Sequence, residues 1–274
     1  MYISSDSHNL DSATWHGQGN ALYDLGCYET AIAKFEKALK EDPQNWDAWI
    51  RRGYALHETK AYPAAIDSFQ TAIRLQPKSA LAWHGLGVAQ AKLSCYEAAL
   101  TSLEQALRFG PNDAKAWYNH GNALIRLNRH REAVTSLDRA IELRPESYRA
   151  WYNRGIALAA LRRYPEAVHS LDTTITLKQD CYYAWNYRGL VLNKIQRYEE
   201  ALLSFEKASQ HRQPNPNAWY GRAITYALKG DASQSVENLQ EAINFSPNLY
   251  RVMAKTDPSF DPIRDDASLQ ALLR

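Results

Sequence analysis

The residue types that could carry chemistry in this chain do not converge on a site. Gly17-Gln18-Gly19 and Gly85-Leu86-Gly87 each begin like a phosphate-binding glycine loop. Such a loop follows a strand, opens a helix and carries a third glycine, so that backbone N–H groups can reach a pyrophosphate. Neither stretch has the third glycine or a preceding strand pattern. No serine lies in a nucleophile elbow, and no His-Glu-x-x-His pair offers two imidazoles to zinc. The eight histidines are scattered. The three cysteines, Cys27, Cys95 and Cys181, have no assignable activating neighbour and read as reduced thiols, as a reducing cytosol would keep them. The sequence therefore predicts no catalysis, no cofactor and no metal, and directs attention to what the chain could bind.

Those residues are positioned by a repeat. Trp15, Trp49, Trp83, Trp117, Trp151, Trp185 and Trp219 stand on a strict 34-residue ladder. Four residues after each comes Gly19, Gly53, Gly87, Gly121, Gly155 and Gly189, then Ala223; sixteen after comes Ala31, Ala65, Ala99, Ala133, Ala167 and Ala201, then Ser235. Pro43, Pro77, Pro111, Pro145 and Pro247 lie at +28. Within the copy running from Trp117 to Pro145, Trp117, Gly121, Leu124 and Leu127 form one helical stripe, and Ala133, Leu137, Ala140 and Ile141 a second. Asn128-Arg129-His130 reads as the turn between them. Pro63 and Pro165 are placed at the first position of the second helix, where a missing N–H costs nothing, and the prolines at +28 are expected to stop it. Each copy is a helical hairpin too small to bury both faces, so the copies must stack. The tryptophans are expected to be core.

The pattern W-x2-[L/G]-G-x2-[L/Y] … A-x3-[F/L]-x2-A … P with this period resembles the tetratricopeptide repeat. The dense Trp-Tyr-Asn style is also similar to multi-repeat arrays of bacteria, cyanobacteria especially. The resemblance covers seven copies, 12–45, 46–79, 80–113, 114–147, 148–181, 182–215 and 216–249, after a flexible tail at 1–11 and before a capping segment at 250–274. It implies an all-α, right-handed superhelical solenoid, no catalysis, and a protein or peptide partner held in a concave groove. The copies at 148–181 and 182–215 replace the closing Pro with Gln179 and Gln213, which marks the junction before 216 as the most irregular.

With the Trp at position four of each copy, the family's geometry turns positions two, five, six, nine, twelve and thirteen into the groove. His16 and His84 then share position five two copies apart, too far for one metal ion. Cys27 and Cys95 share a turn position roughly 20 Å apart at about 10 Å per helix layer, beyond disulfide reach. The centre of the groove gathers His84, Lys115, Tyr118, Asn119, Asn122, Arg126, Arg149, Tyr152, Asn153, Asn186, Tyr187 and Lys194. Asn can donate to and accept from a main chain, Tyr offers area with a polar tip, and Lys and Arg suit carboxylates. The family's chaperone-binding members clamp a C-terminal carboxylate with two Asn and three cations. Here Asn122 and Asn153 match, while Tyr118, Tyr183 and Tyr187 replace the cations, so chaperone binding is not predicted.

A net charge of +2 and the absence of RNA motifs disfavour nucleic acid, and no run of 18 apolar residues could span a membrane. The polar start shows no secretory signal, which points to the cytoplasm. At the other end, Tyr250–Lys255 continues as one more first helix without its Trp, and Asp266 is placed to cap a last helix, 267–273. Phe260, Ile263, Leu269, Leu272 and Leu273 need something to bury them. The function expected is a non-enzymatic scaffold for an extended, acidic partner segment. The alternatives are a targeting or regulatory part of a larger kinase or transferase, and a self-assembly module that makes homo-oligomers.

Overall fold

A computed structural model describes residues 11–274. Helices and short turns account for the described residues, and they fall into two compact units that divide between Arg144 and Pro145. In the first unit α1 (Ser12–Asp24) pairs with α2 (Tyr28–Glu41), α3 (Trp46–Glu58) with α4 (Tyr62–Leu75), α5 (Ala80–Lys92) with α6 (Tyr96–Phe109), and α7 (Ala114–Arg126) with α8 (His130–Leu143). In the second, α9 (Tyr148–Ala160) pairs with α10 (Tyr164–Leu177), α11 (Tyr182–Lys194) with α12 (Tyr198–His211), and α13 (Pro216–Leu228) with α14 (Ala232–Phe245). The chain ends in α15 (Pro247–Thr256), a 3₁₀ turn over Pro258–Ile263 and α16 (Ala267–Leu273). The fold is an all-α solenoid of stacked helix pairs. The expected tail at 1–11 lies outside the described residues except for Asp11, whose carboxylate caps α1 by accepting from the Thr14 N–H at 2.8 Å.

One turn recurs inside every pair. Gly26, Lys60, Ser94, Asn128, Arg162, Gln196 and Gly230 all adopt left-handed backbone, with φ between 58° and 79°. In each, two backbone bonds close the first helix; Gly26 N–H donates to Tyr23 O (2.9 Å) and Cys27 N–H to Leu22 O (2.9 Å). This is the Schellman arrangement, which satisfies the last carbonyls of the helix. Only two of the seven positions are glycine, so the packing of each pair sustains a conformation that the other side chains disfavour. His130, read from sequence as part of the turn, already begins α8.

The ladder glycines allow the two helices of a pair to touch. A Cβ on Gly121 would stand 2.7 Å from Leu137 Cγ, and one on Gly53 2.7 Å from Phe69 Cε1. The ladder alanines of the second helices, from Ala31 to Ala201, are fully buried beneath them. Gly85 and Gly221 were expected in the groove. They are instead buried, each against a phenylalanine of the preceding pair, Phe69 and Phe205. Pro43, Pro77, Pro111 and Pro145 follow second helices as expected, but Pro247 opens α15. Pro63 and Pro165 are the second residues of their helices, not the first.

The tryptophans are not core. All seven are half-buried, and five donate their indole N–H to the carbonyl six residues earlier: Trp49 to Pro43 O (3.0 Å), Trp83 to Pro77 O (2.9 Å), Trp117 to Pro111 O (2.7 Å), Trp151 to Pro145 O (2.8 Å) and Trp185 to Gln179 O (3.0 Å). Indole is an apolar plate with one donor, and here it ties the loop between pairs to the next helix. The carbonyl does this work, which explains why Gln179 serves as well as proline.

Candidate functional site

The first helices supply the candidate site. Within the first unit α1, α3, α5 and α7 touch one another directly, while their partner helices meet less closely, so the first-helix face is the inner one. A cavity of about 590 Å³ opens there, lined by Arg51 and Tyr54 of α3, His84 of α5, Asp113 and Lys115 at the start of α7, and Arg144 after α8. Its cations outnumber its one carboxylate. Asp113 is further committed as the N-cap of α7, accepting from Lys115 N–H (2.8 Å) and Ala116 N–H (3.3 Å).

Two of the predicted residues meet across separate pairs, one of them, His84, in the cavity wall. Asn119 Nδ2 lies 2.9 Å from His84 Nε2, and His84 Nδ1 lies 3.4 Å from Tyr54 Oη. The Tyr54 hydroxyl donates to Leu81 O (3.0 Å), so it can only accept from His84 Nδ1–H. His84 is thereby a neutral Nδ1–H tautomer whose Nε2 accepts from Asn119, and this contact fixes the orientation of the Asn119 amide. Lys115 and Asn122 are exposed, Tyr118 is half-buried, and Arg126 is exposed with its guanidinium 5.1 Å from the ring centre of Tyr96. Tyr54, Arg51 and Asp113 were absent from the predicted set; Tyr54 at position nine was visible, but its approach to His84 depends on stacking.

Burial pushes the His84 imidazole below its ordinary value of 6.5; Asp113 opposes this, and Lys115 and His57 add to it. Burial lowers His120 as well, helped by Arg129 and opposed by Glu132. A depressed imidazole stays neutral in the folded chain where the unfolded chain takes a proton. Its stability contribution is therefore complete above pH 6.5 and is lost as pH falls below that value. The urea midpoint is expected to drop between about pH 7.5 and about pH 5.5, and the drop is expected to shrink in His84→Gln. An equal drop in that variant would remove His84 as a source.

In the second unit the inner face is aromatic. Tyr152 meets Tyr183 edge-on at 4.7 Å between ring centres and Tyr187 at 6.2 Å. Burial, with Tyr187 and Cys181 adding to it, pushes the Tyr152 phenol up to about 12. Arg149 Nε donates to Tyr148 Oη (3.2 Å). Asn153 is half-buried and Lys194 exposed. Asn186 is already engaged, its Nδ2 donating to Asn215 Oδ1 at 3.2 Å, and the same oxygen caps α13 by accepting from Ala218 N–H. The predicted set thus forms two groups, His84 to Arg126 in the first unit and Arg149 to Lys194 in the second. Among the described residues no cluster of His, Cys, Asp and Glu could hold a metal ion, and no helix is long and apolar enough to cross a membrane.

Comparison with known proteins agrees with this architecture. The tetratricopeptide repeat family model matches at 16–80, 62–114, 84–129, 118–175 and 156–215. No curated protein matches the chain. Among solved structures, a tetratricopeptide repeat protein from Parabacteroides merdae is similar over 89% of this chain and 97% of its own, at 16% identity and a TM-score of 0.65. PilF of Pseudomonas aeruginosa is similar over 80% and 96%, at 18% identity and a TM-score of 0.64. MamA is similar over 61% and 92%, at 24% identity and a TM-score of 0.56. With the family model matching most of the chain and the helix pairs stacked as these relatives' are, the chain belongs to the tetratricopeptide repeat family, whose fold is a scaffold for protein–protein interaction.

Proposed function

We propose that this protein is a non-catalytic, cytoplasmic scaffold that binds an extended, acidic segment of a partner protein on its first-helix face. In this reading residues 12–249 are seven copies of the repeat and 250–274 their cap. The observation that carries it is the cavity of the first unit, whose lining includes Arg51, Lys115, Arg144 and His84, with Asn119 bonded to that His84 from the next pair. Cations hold carboxylate side chains while a fixed Asn amide reads the main chain. The tyrosines of the second unit add rigid contact area at low ordering cost.

The test is capture of partners from a lysate of the source cell by the wild-type chain, by Lys115→Glu/Asn119→Ala and by Tyr152→Ala/Asn153→Ala. Each pair is expected to lose the partners that the wild type retains, by about 2 kcal/mol or more where a hot spot is removed. Partners retained in full by both variants would overturn the assignment of this face. Self-association is the second reading, favoured by Phe245, Leu249, Val252 and Met253, which are exposed within nine residues on α14 and α15. Light scattering that shows a monomer across a wide concentration range would remove it.

A further inference from the structure

The C-terminal turn does more than end the stack. Asp257 and Ser259 of this turn close one side of a cavity of about 340 Å³ in the second unit, opposite α9, α11 and α13. Its walls are apolar and aromatic: Tyr164, Tyr187, Leu190, Ile224 and Leu228 among them. We propose that this cavity is a pocket for an aromatic side chain of the bound segment, with a neighbouring carboxylate of that segment held by Lys194. This rests on the reading of the first-helix face as the partner surface, and it assigns chemistry to one place on it.

The volume is at the small end of ligand cavities, suited to one large side chain and not to a main chain. Two tyrosine rings in the wall favour an aromatic guest, since ring edges and faces attract. Leu190 is 38% exposed, an apolar side chain on a face where its counterpart in the α7 pair is Asn122. The polar groups nearby are already satisfied by the chain itself. Asn193 Nδ2 donates to Thr225 Oγ1 (3.0 Å), which donates to Gly221 O (2.8 Å). Asp257 accepts from Tyr220 Oη–H (3.1 Å) and from Ser259 N–H (2.9 Å). Lys194 is the one cation of the lining, exposed and without an ion-pair partner among the described residues. The pocket thus offers apolar area, aromatic edges and the exposed Lys194 cation for an anion beside an aromatic group, with the Asp257 carboxylate on the turn already bonded to Tyr220 and Ser259.

The test uses N-acetyl-L-tryptophan, which carries an indole and a carboxylate, against its uncharged amide and against N-acetylglycine, read by amide chemical shifts of the full chain. The expected result is saturable shifts around Tyr187, Ile224 and Ser259 with both indole compounds and none with N-acetylglycine. Lys194→Gln is expected to weaken the acid about threefold and leave the amide unchanged. Leu190→Gln, at an exposed position that keeps the fold, is expected to weaken both about tenfold. Shifts that are absent, scattered or unaffected by Leu190→Gln would overturn the pocket. Partner capture sensitive to Lys115→Glu but not to Leu190→Gln would sink the pocket and leave the broader function standing.

Discussion

Phe205→Ala is expected to destabilise the second unit by about 3–5 kcal/mol, the cost of emptying a fully buried aromatic site. The ring is held between two helices that both surrendered their side chains to it. A Cβ on Gly189 would lie 2.6 Å from Phe205 Cζ, and one on Gly221 would press closer still on the opposite pair. Gly221→Ala is expected to cost about 1–3 kcal/mol by overpacking. In the Phe205→Leu background that cost should shrink, because Leu171 of the preceding pair faces Gly155 alone while Tyr187 stands at position six of the following copy. Urea unfolding of the single and double variants checks the coupling. Additive effects would show that the glycine was not selected by the ring.

Arg264→Ala is expected to cost about 2–3 kcal/mol, because one guanidinium holds the whole C-terminal turn. It donates to Ala254 O (2.9 Å) and Lys255 O (2.9 Å) at the end of α15, to Asp257 O (2.7 Å), and to Asp261 Oδ1 (2.7 Å). The Ala254 and Lys255 carbonyls lie in the last turn of α15, where the helix supplies no further N–H, while Asp257 O also accepts from Phe260 N–H (3.2 Å). The turn they shape packs Phe260 and Ile263 on the last pair, α13 and α14, with Phe260 5.9 Å from the ring of Tyr220. Leu269 and Leu273 of α16, capped by Asp266, complete the same cluster, with Leu272 packed at its edge. Arg264→Lys, which keeps the charge but not the fork of donors, should recover only part of the loss. Thermal unfolding and amide exchange over 247–274 are the measurements. A variant with wild-type protection there would show that apolar burial alone fixes the turn.

The repeat, the helix pairs and the family were legible in the sequence because they follow from local periodicity. A stripe at helical spacing, a polar turn and a 34-residue ladder need no knowledge of distant neighbours. The cap of the last helix at Asp266 was legible for the same reason. Stacking decided the rest. Position six reads as groove wall in every copy, yet Gly85 and Gly221 are buried because Phe69 and Phe205 of the preceding pairs reach them. The tryptophans read as core, yet all seven are half-buried, and five of them give their indole N–H to a loop carbonyl. The neutral His84, 35 residues from the Asn119 it orients, and the pocket walled by a turn 70 residues beyond Tyr187, exist only once copies lie against each other. Periodicity along the chain fixes which face of a helix is apolar; contacts between copies, which depend on side-chain size one or two repeats away, fix which polar groups are left to meet a partner.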